Sequence, residues 1–192
     1  MRPFSRPLAA YDQRLRSRQP TQPCRPLFGY LLCEYFAHVQ QRHRGLPADE
    51  YITACEQRLQ ALGVEAGARL WEQFCLRRLE STDRGVRAPL DLGSAQDVLN
   101  AVRAPFWAFL FGEDERRDVQ LLRLKDNNGF YLIEREPATD QYISFPRDYS
   151  GIQPSAVLSG VIRAVLGCCG FESAVKVFLS EGLTYYEVVL HE

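Results

Sequence analysis

Three groups of residues in this 192-residue chain have side chains that could do chemistry. Sulfur and imidazole come first, as six cysteines and three histidines, His38, His43 and His191. A metal ion needs such ligands clustered at reachable spacings, but there is no C-x-x-C and the histidines form no ligand motif. Cys168 and Cys169 are the one close pair in sequence. Adjacent cysteines seldom bridge one another, because their side chains diverge and ring closure strains the backbone, so this pair reads as packing at a helix end. Carboxylates come second. Asp126 and Asn128 imitate the opening of a calcium loop, but the fifth and twelfth positions, which need an oxygen ligand and a glutamate, are Phe130 and Pro137. Glu134 and Glu136 lie two apart on a strand and share a face, as paired acid–base carboxylates would. Arg135 and Pro137 beside them suit a solvated strand end better. Third, Ser159 stands in Val157-Leu158-Ser159-Gly160, inside a helical pattern rather than a nucleophile elbow. No glycine-rich phosphate loop is present. The residues therefore support no enzyme, no metal site and no cofactor.

The elements that carry these residues follow from periodicity. From Pro26 to Arg44, Leu27, Phe28, Leu31, Leu32, Tyr35, Phe36 and Val39 recur at helical spacing, with Gly45-Leu46-Pro47 as the stop. Asp49 opens a second helix carrying Ile52, Cys55, Leu59 and Leu62 and ending near Gly63. A third, from Val64 to Leu79, gathers Leu70, Trp71, Phe74 and Cys75, and residues 80–90 read as a loop. Ser94 caps a fourth with Val98, Leu99, Val102, Phe106, Phe109 and Leu110, which Pro105 must kink or divide. Beyond Gly112 the period changes. Phe130-Tyr131-Leu132-Ile133 and Gln141 to Phe145 are β-rich runs, halted by Pro137 and Pro146. A helix then returns with Leu158, Val161, Ile162, Val165 and Leu166, closed by Gly167 and Gly170. Val175 to Leu179 and Leu183 to Leu190, joined through Ser180-Glu181-Gly182, form a hairpin. The pattern predicts an α+β fold in the order α-α-α-α-β-β-α-β-β, with helices packed on a small antiparallel sheet. Val119 to Leu124 before Asn127-Asn128-Gly129 has the signature of one further strand.

Composition sets outer bounds. Hydrophobic residues make up 46% and charged ones 24%, as in ordinary globular chains. The net charge of −1 conceals an uneven distribution: residues 1–26 hold six arginines against Asp12 alone, and the rest is acidic. An acidic body argues against a dedicated nucleic-acid binder. Residues 1–25, rich in arginine and proline, are expected to be a flexible arm, and residues 26–192 one domain. The longest greasy run, Ala104 to Phe111, is far shorter than the roughly 20 residues of a bilayer helix. The first residues lack the apolar middle of a secretory signal. Cys33, Cys55 and Cys75 fall in helix-like stretches, which points to a reducing cytosol; an organellar transit peptide is the alternative reading of the arginine-rich head.

Two features concern packing. Gly160 interrupts a helix at a cost of about 1 kcal/mol relative to alanine; with Ala156, Ser159 and Ala164 it makes a small-residue stripe that another backbone can approach. The first helix spreads Phe28, Leu31, Leu32, Tyr35, Phe36 and Val39, joined by Leu27 and Tyr30, over more than one narrow stripe. So wide an apolar face suits a core alone, or a core and a partner together. These six residues are the candidate partner interface.

Four ordered segments carry a resemblance. Phe130-Tyr131-Leu132-Ile133-Glu134-Arg135-Glu136-Pro137 with Tyr142-Ile143-Ser144-Phe145-Pro146 resembles "YxIxExEP…YISVP" of the small subunits of the TRAPP vesicle-tethering complex, the Bet-three family. Ser159 to Leu166 with Gly170-Phe171 is similar to their "AGIxEAVLxxxGF" helix. Ala61-Leu62-Gly63 with Gly67-Ala68-Arg69-Leu70, and Phe106-Trp107-Ala108-Phe109-Leu110-Phe111-Gly112, resemble "LG…GxRL" and "W-x-x-LFG". The structural positions of these motifs are Gly63, Gly67, Arg69, Trp107, Gly112, Glu134, Glu136, Pro137, Gly160 and Gly170. The match spans roughly residues 27–190 and leaves the basic head without a counterpart.

The resemblance implies helices on one face of a four-stranded antiparallel sheet and no active site in this chain. It implies a scaffold that pairs through its N-terminal helices with sister small subunits, in particular the acyl-channel-bearing subunit. The whole complex is a nucleotide exchange factor for a Rab GTPase in ER–Golgi and Golgi traffic. The chain would then be cytoplasmic and peripherally associated with those membranes, with no nucleic acid as partner. The acylated relative carries its fatty acid in a "GRCxDF" segment; the matching stretch here, Gly85 to Leu92, has no cysteine, which argues against self-acylation. The family pattern also makes residues 118–126 a loop or helix end. A stand-alone small-molecule or fatty-acyl-binding module is the alternative, motivated by the aromatic run Phe106 to Phe111. A third reading has the arginine-rich head touching acidic lipid or RNA.

Overall fold

The computed structural model describes residues 25–83, 90–112, 119–124, 129–140 and 151–191. Two helices open the domain. The first, α1 (Arg25–Arg42), ends before Gly45, whose φ of +101° turns the chain. The second, α2 (Ala48–Asp83), is 36 residues long and begins with Asp49 and Glu50 in its first turn, where the helix dipole favours acids. The two helices expected over 49–63 and 64–79 are thus one, and it runs on into the stretch read as a loop. Gly63 is no terminator: a Cβ there would fall on the carbonyl oxygen of Val157, so this glycine serves a helix crossing.

Ser94 caps α3 (Ala95–Ala101) as expected. Its hydroxyl accepts from the Asp97 N–H at 3.2 Å and donates to the Asp97 carboxylate. Pro105 does divide this helix. It lacks the N–H that would reach Ala101, and the chain widens into a π turn (Val102–Phe106) before α4 (Trp107–Phe111) resumes. Gly112, at φ +98°, stops it.

The sheet has the order β1-β2-β4-β3, antiparallel throughout: β1 (Gln120–Arg123), β2 (Gly129–Glu134), β3 (Ser173–Ser180) and β4 (Leu183–Leu190). The additional strand signalled by Asn-Gly is present as β1, pairing Gln120 with Ile133 and Arg123 with Phe130. This corrects the loop that the family pattern placed over 118–126. The expected strand from Gln141 to Phe145 lies outside the described residues, as does the arm apart from Arg25, which opens α1. β3 and β4 turn through Glu181 (φ +53°) and Gly182 (φ +75°), the two positive φ values of a tight primed hairpin.

Between β2 and β3 the chain forms α5 (Ala156–Cys168). Its residues from Ala156 to Leu166 are buried except Arg163, and a helix apolar on all sides must be covered on all sides. α2, β3 and α3 supply that cover. The principal core joins Trp71, Phe74, Phe106 and Trp107 to Leu158, Ile162 and Val165 of α5 and to Phe130, Leu132, Val175, Tyr186 and Val188 of the sheet. A second cluster lies under α1: Leu32, Phe36 and Val39 pack with Cys55, Leu59, Ile152, Ala156 and Val157. The helices therefore cover one sheet face. On the other, Tyr131, Phe178 and Tyr185 pack together, with Phe178 and Tyr185 stacked at 5.2 Å.

Candidate functional site

The first helix presents two apolar stripes, and the fold uses them differently. Phe28, Leu32, Tyr35, Phe36 and Val39 follow i, i+4, i+7, i+8 and i+11 spacing, which places them on one side. Leu32, Phe36 and Val39 are 4%, 5% and 1% exposed and belong to the core. Phe28 and Tyr35 are half-buried at its margin: the Phe28 ring meets Phe111 edge-on at 6.3 Å, and the Tyr35 hydroxyl donates to the Arg58 carbonyl at 3.4 Å. One residue earlier on the helical wheel lies Leu27, Tyr30 and Leu31, at i, i+3 and i+4. These are 56%, 73% and 63% exposed. Of the six residues read as an interface, only Leu31 points fully to solvent. The core claims Leu32, Phe36 and Val39 because α2 and the start of α5 lie beneath that stripe. Leu27 and Tyr30 replace them on the free face. Glu34 and His38 extend it toward the C-terminal end and are exposed.

The residues marked by motif resemblance fall in different settings. Gly63 and Gly67 of α2 admit the backbone of α5. Arg69 and Glu136 are exposed, whereas Pro137 is buried. Trp107 is fully buried, and its indole N–H has no hydrogen-bond partner among the described residues. Gly170, at φ +87°, closes α5 in a two-bond cap: its own N–H reaches the Gly167 carbonyl at 3.1 Å, and the Phe171 N–H reaches Leu166 at 2.9 Å.

Glu134 and Glu136 do not form a shared carboxylate pair. Glu134 ends β2 and is buried, accepting from the Tyr186 hydroxyl at 3.4 Å; Glu136 lies past the strand end in solvent. Burial, and then the neighbouring Glu134, push the Tyr186 hydroxyl well above its ordinary range. Asp140 follows in the turn after Pro137. Burial raises its carboxyl to about 6, against the smaller opposing effect of the Thr139 hydroxyl, which donates to it at 2.9 Å. Both carboxylates are thus braced by neighbouring hydroxyls.

A surface cleft of about 390 Å³ opens beside the start of α3, with Ser94, Gln96, Arg123, Phe130, Phe171 and His191 in its wall. The Ser94 hydroxyl in that wall is engaged in capping α3 through Asp97. No group of three or more ligating side chains able to hold a metal ion occurs among the described residues. No described helix is long and apolar enough to cross a membrane.

A sequence profile of the transport protein particle (TRAPP) component family matches residues 28–189. Trafficking protein particle complex subunit 5 of Gallus gallus is 32% identical over 157 residues, covering 82% of this chain and 75% of that protein. Its Homo sapiens counterpart is 30% identical over 181 residues, covering 94% and 88%. The crystal structure of trafficking protein particle complex subunit 3 from Naegleria fowleri, covalently bound to palmitic acid, superposes with a TM-score of 0.62. It covers 85% of this chain and 95% of that one at 17% identity, a likeness of fold.

Proposed function

Because the chain belongs to the TRAPP component family, we propose that it is a non-catalytic scaffold subunit of the TRAPP vesicle-tethering complex. It pairs through the outer stripe of α1 with a sister small subunit of the acyl-channel-bearing Bet-three type. Rab nucleotide exchange then belongs to the assembled complex, at the cytoplasmic face of ER and Golgi membranes. The observation that carries this reading is Leu27, Tyr30 and Leu31 standing together in solvent while the adjacent stripe fills the core. Large apolar side chains clustered on one helix face are suited to burial against another subunit; covering each is worth about 1.5–3 kcal/mol.

The experiment is co-expression with sister small subunits and affinity purification. Tyr30→Glu and Leu31→Glu, each shown to be folded by circular dichroism, are expected to lose the sister subunit. Full co-purification by both folded variants rejects the placement of the interface. The fatty-acyl alternative fares worse on packing. Phe106, Trp107 and Phe111 of the run that motivated it are buried, and Phe106 meets Trp71, Phe74 and Phe109 ring to ring at 5.2–6.2 Å. Native mass spectrometry that finds a stoichiometric fatty acid would restore it.

A further inference from the structure

One transverse row of the sheet carries a charge on the side that the helices cover. Arg123 pairs with Phe130, Phe130 with Val188, and Val188 with Val175, so these four residues cross β1, β2, β4 and β3 in line. Residues directly opposite one another share a face. Phe130, Val188 and Val175 are buried, and Arg123 continues their row on the edge strand, where it is exposed. Its guanidinium has no hydrogen-bond or ion-pair partner among the described residues.

This arginine forms one wall of the cleft of about 390 Å³ beside α3. Phe130, Phe171 and Leu190 give the cleft an apolar lining continuous with the principal core. His191 and Glu172 line it from the β4 and β3 side, joined by the His191 N–H donating to the Glu172 carbonyl at 2.9 Å. With neighbouring strands about 4.8 Å apart, β1 and β4 are separated by about 10 Å. The acids at the start of α3 are engaged locally: Asp91 accepts from the Gly93 N–H at 3.1 Å, and Asp97 accepts from the Ser94 hydroxyl. Glu172 is the one carboxylate in the lining. It repels an anion from its own wall and leaves the Arg123 side as the place for one.

We propose that this cleft binds the carboxy-terminal residue of an extended peptide whose last side chain is apolar. That side chain lies on Phe130, Phe171 and Leu190, and the terminal carboxylate takes two parallel hydrogen bonds from the Arg123 guanidinium. Size and polarity select this ligand. The volume is near the lower end of the roughly 300–1,000 Å³ of small-ligand sites, which suits a chain end and excludes a helix. An inorganic anion would leave the apolar lining uncovered, and a long acyl chain would outrun it. The proposal is independent of pairing through α1.

The test titrates the isotope-labelled full chain, followed by amide NMR, with an N-acetylated tetrapeptide ending in leucine and a free carboxylate. Saturable shifts are expected at Phe130, Phe171 and His191. The same peptide with an amidated end, or with glycine last, should bind about tenfold or more weakly. Arg123→Gln should weaken binding by about 10- to 100-fold. Arg123→Lys should fall between, since an ammonium cannot make the paired contact. Glu172→Gln should tighten binding by removing a like charge, a gain that misfolding cannot imitate. Equal binding of the amidated peptide overturns the proposal, as does full affinity in Arg123→Gln or a loss in Glu172→Gln. N-acetyl-leucine or inorganic phosphate binding as tightly as the peptide also overturns it, by assigning the cleft to a small anion. So does the absence of saturable shifts at millimolar peptide.

Discussion

Gly63 and Gly160 meet where α2 crosses α5 with no room for a methyl group on either side. A Cβ on Gly160 would lie 2.9 Å from the Gly63 Cα and fall on the Gln60 carbonyl oxygen; one on Gly63 would fall on the Val157 carbonyl oxygen. Both obstacles are backbone of the facing helix, which cannot swing aside as a flexible side chain would.

Gly160→Ala therefore sets two effects against each other. Alanine improves intrinsic helix propensity by about 1 kcal/mol, while forcing two helices apart costs about 1–3 kcal/mol or more. The clash should win, with a net loss of up to about 2 kcal/mol in urea denaturation. Gly167, in the same helix with nothing within 4 Å of its missing Cβ, is the control: Gly167→Ala should gain up to about 1 kcal/mol. Equal effects at the two positions would show that the crossing is looser than described.

This crossing also explains how far the sequence could be read. The stripe of Ala156, Ser159, Gly160 and Ala164 was legible as a site of close approach, and the approaching backbone is that of α2. Its counterpart was not legible. In a single sequence a glycine between two apolar helical stretches looks the same whether it ends a helix or accommodates a neighbour, so Gly63 read as a terminator. On α1 the periodicity was plain, but Leu27 and Phe28 are equally apolar. Only the position of α2 and α5 decides which stripe is core and which is free. Strand β1 carried the correct local signal in Asn128-Gly129 and the alternating run before it; analogy with the family pattern obscured it. Of the two glycines read as closing α5, Gly170 does so, and its positive φ supplies the reason; Gly167 lies inside the helix.

Gly170 carries its own prediction. Its φ of +87° is left-handed backbone, which an L side chain adopts at a cost of roughly 1–2 kcal/mol. Space is not the obstacle, since nothing lies within 4 Å of an added Cβ. Gly170→Ala should lose about 1 kcal/mol by conformation alone, and Gly170→Asn should lose less, because asparagine tolerates this region. Equal losses for the two in chemical denaturation would discard the account.

Asp140 gives stability a pH dependence of definite sign. Its carboxyl titrates near 6 in the folded chain against 3.8 ordinarily, because burial disfavours the charged form. The folded state then binds more proton than the unfolded state between those values. This group's contribution is most favourable below pH 4, declines as pH rises through 4–6, and becomes a full penalty above 6. Asp140→Asn removes the charge and keeps an oxygen for the Thr139 hydroxyl. The variant should exceed wild type by about 1–3 kcal/mol at pH 7.5 and converge with it near pH 4. Urea midpoints of both proteins at the two pH values decide it; a difference that does not vary with pH would show that Asp140 titrates normally.

Gln60 joins three elements. Its side-chain amide donates to the Ser159 hydroxyl at 3.0 Å and to the Val175 carbonyl of edge strand β3 at 2.7 Å, so α2 is tied to both α5 and the sheet. The Ser159 hydroxyl itself donates to the Ala156 carbonyl at 2.8 Å. Gln60→Leu keeps the bulk but leaves the Val175 carbonyl and a Ser159 lone pair without their donor, at about 1–3 kcal/mol. Hydrogen exchange locates the loss: amides of β3 should lose protection before those of β2. Uniform loss across the sheet would assign Gln60 to general packing.

The two stripes of α1 can be separated by what each substitution disturbs. Leu32 is 4% exposed, so Leu32→Ala should cost about 2–4 kcal/mol in the isolated chain. Leu31 is 63% exposed, and Leu31→Ala should stay within about 0.5 kcal/mol. Pairing with a sister subunit should reverse the ranking: Leu31→Ala weakens association measurably, and Tyr30→Ala more so because the larger ring buries more area. Tyr35 is a poor probe, since its hydroxyl contacts Arg58 and its replacement perturbs the α1–α2 hairpin itself. Denaturation of the isolated chain and titration calorimetry with the sister subunit measure the two rankings independently. The scaffold reading requires that they cross: if Leu31 and Tyr30 can be truncated with no loss of affinity, the exposed stripe has no partner there.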